Sequence, residues 1–142
     1  LKHDSIIVMN GDSFVDIDLK EFSGWHKFKR ANWSLVVGQM DSGERYGNIK
    51  LGAKDEIIEF SEKEEIVFDR TNYINFGIYL THRPTIQTMP DMVKFSLESD
   101  YFPNYIPNNV FAYKTDNQFI DIGTPESLSD AQHMFSSSVG SE

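Results

Sequence analysis

Ser5-Ile-Ile-Val-Met-Asn10-Gly11-Asp12 constrains this chain more than any other stretch, because an apolar run stops abruptly there at a glycine and a carboxylate. A short apolar run with polar boundaries reads as a strand buried on both faces, the kind found in parallel sheets. Such a strand needs neighbours that pair with it and helices that cover it. Hardly anything precedes it, and the first residue is Leu1 rather than Met, so the expectation is a piece of a larger α/β protein.

Alternation of strand and helix signals continues downstream. Leu19, Phe22 and Trp25 or His26 recur at helical spacing, and Asp18-Leu-Lys-Glu21 is a D-x-x-E capping box that starts this helix at Asp18. Trp33 to Met40 reads as the next strand. A strand, a helix and a strand at this spacing make a βαβ unit, whose right-handed crossover sets both strands parallel in one sheet. His26-Lys-Phe-Lys-Arg30 closes the helix, where cations complement the negative end of its dipole.

The middle of the chain changes character. Gly47 to Leu51 and Glu56 to Phe60 alternate and are joined by the turn-like Gly52-Ala-Lys-Asp55, a hairpin. With the turn near Lys54, Gly47 falls across from Ser61 and Glu62, and Tyr46-Gly47 emerges beside Glu62-Lys63. Glu64 to Asn72 reads as a loop. Tyr73 to Leu80 is a central strand whose polar Asn75 must find partners or line a cavity. Pro84 to Met89 and Ser96 to Tyr105 look helical, with Pro103 breaking the second. Val110 to Tyr113 and Phe119 to Ile122 are short strands. Thr124-Pro125-Glu126 supplies an N-cap, a first-turn proline and an early acid for a helix through Leu128, Ala131 and Phe135. Residues 1–135 form one domain portion, and 136–142 a frayed tail.

Composition narrows the function. With 142 residues and 39% hydrophobic content the chain can bury a core. No apolar run approaches the roughly 18 residues of a membrane span, and no signal peptide is visible, so a soluble cytoplasmic protein is the expectation. The absence of cysteine excludes thiolate metal sites and cysteine nucleophiles. A net charge of −9 argues against nucleic-acid binding, which needs clustered cations. The four histidines show no zinc spacing, and Ser13 lacks a hydrolase elbow.

Two carboxylates stand apart from the acidic surface because each sits at the end of an apolar strand: Asp12 in Asn-Gly-Asp, and Asp121 in Phe-Ile-Asp-Ile-Gly-Thr-Pro. Ligands of open α/β sheets bind beyond the carboxyl ends of strands. Mg²⁺ is held by one or two carboxylates together with substrate phosphates and water, which suits such a pair. Gly11 and Gly123 let the backbone pass close to a ligand or take positive φ beside each acid. Taken singly, Asp12 also reads as a turn residue, Asp121 as a helix-capping acid, and Glu62-Lys63 as a solvated edge. Asp16-Ile17-Asp18 forms a competing D-x-D of the glycosyltransferase type, weakened by the capping duty of Asp18.

The order Asn10-Gly-Asp12, Arg45-Tyr-Gly47, Glu62-Lys63, Ile74-Asn-Phe-Gly-Ile-Tyr79, Phe95-Ser-Leu-Glu98 and Phe119-Ile-Asp-Ile-Gly-Thr-Pro125 resembles the carboxy-terminal part of the sugar-1-phosphate nucleotidyltransferases. It is most similar to the branch of heptose- or mannose-1-phosphate guanylyltransferases and glucose-1-phosphate thymidylyl- or cytidylyltransferases. The resemblance implies a Rossmann-like mixed, mostly parallel α/β sheet with flanking helices and a β-hairpin insertion, incomplete at its N-terminus. It implies an enzyme joining a nucleoside triphosphate to a sugar 1-phosphate, with Mg²⁺, in nucleotide-sugar supply for surface polysaccharide. By matching motifs, Asp12 and Asp121 would hold the metal and Lys63 would meet the sugar phosphate. Glu62 and Asn75 would bind sugar hydroxyls, and Gly47 would contact the sugar through its backbone. Asn10, Gly11, Tyr46 and Gly77, members of the same motifs, complete the expected substrate contacts.

Departures from the family pattern are visible too. The glycine-rich triphosphate loop and its lysine belong to an amino-terminal part, so the chain is expected to lack activity alone. Glu64 stands where proline is frequent, Phe76 where alanine is common, and Phe119 where tryptophan is frequent. A non-catalytic sugar-nucleotide-binding regulatory module is the alternative from another class. A homo-oligomer is compatible with all three readings.

Overall fold

The computed structural model describes residues 4–39, 48–61, 73–91 and 94–138. A six-stranded mixed sheet forms the centre. Its strands are β1 (Ser5–Met9), β3 (Trp33–Gly38), β4 (Asn48–Leu51), β5 (Ile57–Ser61), β6 (Tyr73–His82) and β7 (Val110–Lys114). A separate small ribbon pairs β2 (Ser13–Val15) with β8 (Phe119–Asp121).

The long strand β6 organises the rest. It runs antiparallel to β1, β3 and β4, while β3 and β7 are parallel neighbours. Consequently β1, β3, β4 and β7 share one direction, and β5 and β6 oppose it. The expected crossover from β1 to β3 does set these strands parallel in one sheet, but β6 is inserted between them. That insertion was not visible locally, since it depends on pairings more than forty residues apart in sequence (Leu35 with Tyr79, for example).

Alternation divides the core. Leu35, Val37, Tyr79 and Trp33 face one layer with Phe102 and Tyr101, whereas Val36, Phe76, Ile78 and Leu80 face the other with Phe22. Phe22 comes from α1 (Leu19–Lys29), which begins as expected: Asp18 accepts from the amides of Lys20 at 2.8 Å and Glu21 at 3.1 Å. Arg30 ends the helix in the left-handed conformation, its amide bonding back to Lys27. Lys27 and Lys29 stand in the last turn, but His26 does not act as a terminal cation. It is buried, its Nδ1 lies 2.7 Å from Ser34 Oγ, and burial followed by the nearby His82 lowers its pKa to about 4.

Several expectations shift in detail. β1 is not buried on both faces: it pairs with β6, and Ile7 and Met9 are 41% and 55% exposed. The strand that is buried throughout is β3. In the hairpin, Ser61 pairs with Asn48 and the register shifts between Lys50 and Leu51, while the expected pairing of Gly47 lies outside the described residues. The helix expected from Pro84 is the short α2 (Arg83–Gln87). The segment after Ser96 begins as a π-helical turn, Leu97–Tyr101, and tightens into α3 (Phe102–Tyr105) where Pro103 enters. α4 (Pro125–Ser138) opens on Thr124, whose Oγ1 accepts from Ser127 N at 3.2 Å, and continues past the expected start of the tail at Ser136. No described helix is long and apolar enough to cross a membrane.

Candidate active site at a notch in the sheet

Strands β1 and β4 lie end to end along the same edge of β6. Pairing with β1 finishes at Met9–Ile78 and pairing with β4 starts at Asn48–Ile74, so Asn75, Phe76 and Gly77 border a gap. On the opposite edge the β3 register jumps from Leu35–Tyr79 to Val37–Asn75, a bulge that leaves extra residues on β6. Gly77 takes φ +74 inside it, a conformation that glycine adopts without steric cost. A Cβ at Gly77 would also collide with the side-chain amide of Asn10. The glycine that needs its freedom is therefore Gly77. Around Gly11 nothing lies within 4 Å of where a Cβ would stand, which leaves open space beside Asp12.

The chain leaving β1 is held at this notch. Asn10 N donates to Gly77 O at 2.8 Å, and Ser13 Oγ donates to Phe76 O at 3.4 Å. Asp12 is exposed just beyond. β2 then turns back along β8 in the register Ser13–Asp121, and Ile122 N donates to Asp12 O at 2.7 Å. The two acid-bearing segments, distant in sequence, thus run side by side. Phe76 stacks on Phe119 with centroids 4.5 Å apart and planes 8° from parallel, which ties the bulge to the ribbon. Two of the departures from the family pattern noted in the sequence, Phe76 and Phe119, are partners of one another.

Beneath the notch runs a chain of polar side chains. Gly77 N donates to Asn75 Oδ1 at 3.0 Å, Asn75 Nδ2 donates to the Tyr79 hydroxyl at 2.7 Å, and that hydroxyl donates to Glu98 Oε1. Ser96 Oγ donates to Glu98 Oε2 at 3.0 Å. Tyr79 is fully buried, and burial together with Glu98 pushes its pKa far above the usual phenol range. Sequence reading singled out Asn75 but gave Tyr79 and Glu98 no role. The available signals were Tyr79 four residues beyond Asn75 on a strand holding an internal glycine, and Glu98 at the end of the Phe95-Ser-Leu-Glu98 motif.

The structure brings Asn10, Gly11, Asp12, Asn75, Gly77 and the backbone of Asp121 to one place. Tyr46, Gly47, Glu62 and Lys63 lie outside the described residues. Asp18 is occupied as a helix cap, which removes it from the competing D-x-D. Among the described residues no cluster of three or more His, Cys, Asp or Glu could hold a metal by itself. Two neighbouring acid-bearing segments, a turn with exposed Asp12 and the end of β8, fit a cation such as Mg²⁺ that takes most of its oxygens from phosphates and water.

Comparison with known proteins decides the family. Residues 1–138 match the family model described as nucleotidyl transferase. The chain belongs to that family. It is 37% identical over 119 residues to the D-glycero-alpha-D-manno-heptose 1-phosphate guanylyltransferase of Campylobacter jejuni, covering 84% of this chain and 51% of that protein. It is 28% identical to the mannose-1-phosphate guanylyltransferase of Mycobacterium tuberculosis, over 89% of this chain and 35% of that one. The crystal structure of HddC from Yersinia pseudotuberculosis complexed with GMP-PN superposes with a TM-score of 0.76 at 28% identity, covering 95% of this chain and 57% of that chain. This nucleotidyl transferase chain spans about half the length of the heptose-phosphate relative, 51%.

Proposed function

We propose that the protein carrying this chain transfers a nucleotidyl group from a nucleoside triphosphate to a sugar 1-phosphate. A phosphate oxygen of the sugar 1-phosphate attacks the α-phosphorus, the bond to the β-phosphate oxygen breaks, and pyrophosphate leaves as the nucleotide sugar forms. The observation that carries this reading is the pairing of the Asp12 turn with the Asp121 strand at the notch that Asn10, Asn75 and Gly77 border. Transfer of this kind asks the protein for positioning and charge neutralisation rather than covalent chemistry.

In this reading Asp12 and Asp121 hold Mg²⁺, which when bound supplies neutralisation of the phosphate oxygens. Lys63 neutralises the sugar phosphate, Glu62 and Asn75 orient the sugar through its hydroxyls, and Tyr46, Gly47, Asn10 and Gly11 complete the walls. The relatives' names favour GTP as donor and a heptose or mannose phosphate as acceptor, a supply step for surface polysaccharide in the cytoplasm.

The test is pyrophosphate release from the intact protein carrying this sequence, with Mg²⁺, across a panel of triphosphates and sugar 1-phosphates. Release with GTP and a heptose or mannose phosphate is expected. Hydrolysis or transfer of a ready-made nucleotide sugar without pyrophosphate would point instead to a glycosyltransferase, and binding without turnover to a regulatory module.

A further inference from the structure

We infer that Tyr79 and Glu98 are positioning residues that fix the side-chain amide of Asn75 in one orientation, so that it meets the sugar as a hydrogen-bond donor. The inference rests on the proposal that Asn75 touches the sugar. It goes beyond that proposal by assigning the polarity of the contact and the residues that hold the amide in that orientation.

Proton bookkeeping along the chain allows a single direction. The backbone N–H of Gly77 can only donate, so the Asn75 atom beside it at 3.0 Å must be the oxygen Oδ1. The nitrogen Nδ2 therefore faces the Tyr79 oxygen at 2.7 Å and donates to it. That oxygen, already accepting, sends its own proton to the neighbouring Glu98 carboxylate, whose second oxygen accepts from Ser96 at 3.0 Å. Flipping the amide would set N–H against N–H at Gly77, and both the left-handed Gly77 and the bulge hold that N–H in place. One hydrogen of Nδ2 is thus committed to Tyr79, and the other is what the amide can offer a ligand.

Burial gives the arrangement its stiffness. The Tyr79 ring packs within the core against Phe102, with centroids 5.6 Å apart, so the hydroxyl cannot swing out to water. Its raised pKa keeps it a protonated donor toward Glu98 throughout the neutral range. Hydrogen bonds to a carboxylate are the stronger kind.

The inference is tested by steady-state kinetics of pyrophosphate release in the intact protein, with Tyr79→Phe, Glu98→Ala and Glu98→Gln. Loss of one orienting bond is worth roughly tenfold in affinity. In Tyr79→Phe and Glu98→Ala the KM for sugar 1-phosphate is expected to rise about tenfold, while the KM for triphosphate stays within about twofold. Glu98→Gln keeps an acceptor oxygen for Tyr79 and should hold the sugar-phosphate KM within about threefold of the unaltered protein. Equal rises in both KM values, or no rise, would overturn the inference. If Tyr79→Phe fails to fold, the two Glu98 variants carry the same contrast.

A second readout separates this inference from the proposed activity. In ¹⁵N-labelled protein the two Asn75 side-chain amide protons should be well resolved and slow to exchange, and Glu98→Ala should bring them toward the values of a free amide. Should no sugar phosphate be turned over, the functional reading falls, while the resonances still decide whether the amide is fixed. Unchanged resonances in Glu98→Ala overturn the positioning role.

Discussion

The amide of Ile122 donates to the carbonyl of Asp12 at 2.7 Å, joining two segments that are separated by most of the chain. The first is the Asp12 turn and the second the end of β8 at Asp121, the acids assigned to the metal, so the backbone sets the two segments side by side before any ligand arrives. Asp12→Asn and Asp121→Asn are each expected to lower Mg²⁺-dependent pyrophosphate release by about 10² to 10⁴, the scale of several kcal/mol of lost charge stabilisation. Asp16→Ala, outside the pair, should be mild. The reverse ranking, read from rates of the three variants at saturating Mg²⁺, would support the D-x-D alternative.

Gly77 gives the second prediction, because two constraints coincide there. Its φ of +74 is costly for other residues, and a Cβ would meet the Asn10 amide. Gly77→Ala is therefore expected to destabilise the fold by about 2 kcal/mol or more. Urea unfolding followed by fluorescence measures it, the midpoint falling with little change in slope. Gly11→Ala, with open space around it, should leave the midpoint nearly unchanged.

These positions also mark what was legible in the sequence. Local signals read well: the Asp18 cap, the apolar runs of β1 and β3, the hairpin turn at Gly52 to Asp55, and Thr124-Pro125 at the start of α4. Each depends on residues within a few positions of one another. The insertion of β6 between β1 and β3, the three-residue β2 and β8, and the bulge at Gly77 depend on partners far along the chain. Their own residues carry too short a pattern to announce them. Within the site, Asp12, Asn75 and Asp121 stood out because polar residues end or interrupt apolar strands. Tyr79 and Glu98, though members of the quoted motifs, suggested no role, since a tyrosine in a strand and a glutamate beside a serine look ordinary until folding brings together two residues 19 positions apart.

Phe76 and Phe119 supply a third prediction. Their rings stack at 4.5 Å, so truncating either removes the same contact between the bulge and the ribbon. Phe76→Ala, Phe119→Ala and the double variant should show a coupling of about 0.5 to 1.5 kcal/mol in a double-mutant cycle. Additive losses in urea unfolding would mean that each ring packs independently. Because β8 leads into Asp121, Phe119→Ala should also weaken Mg²⁺ activation of turnover more than its loss of stability accounts for.

His26 yields the last prediction, in the pH dependence of stability. It is 5% exposed behind the sheet, bonded to Ser34 with His82 nearby, and its folded pKa is lowered from 6.5 to about 4. Between these values the unfolded chain binds a proton at this position and the folded chain does not. Unfolding is therefore favoured as the pH falls, so stability drops from about pH 6.5 down to about pH 4 and is insensitive to this group outside that window. At one pKa unit per 1.36 kcal/mol the full drop approaches about 3 kcal/mol. Urea midpoints of the protein and of His26→Leu, compared from pH 4 to 8, isolate it from the carboxylates. The difference between the two proteins should narrow steadily toward pH 4 and stay constant above pH 7, and a difference independent of pH would show that His26 takes up its proton in the folded state as readily as in the unfolded one.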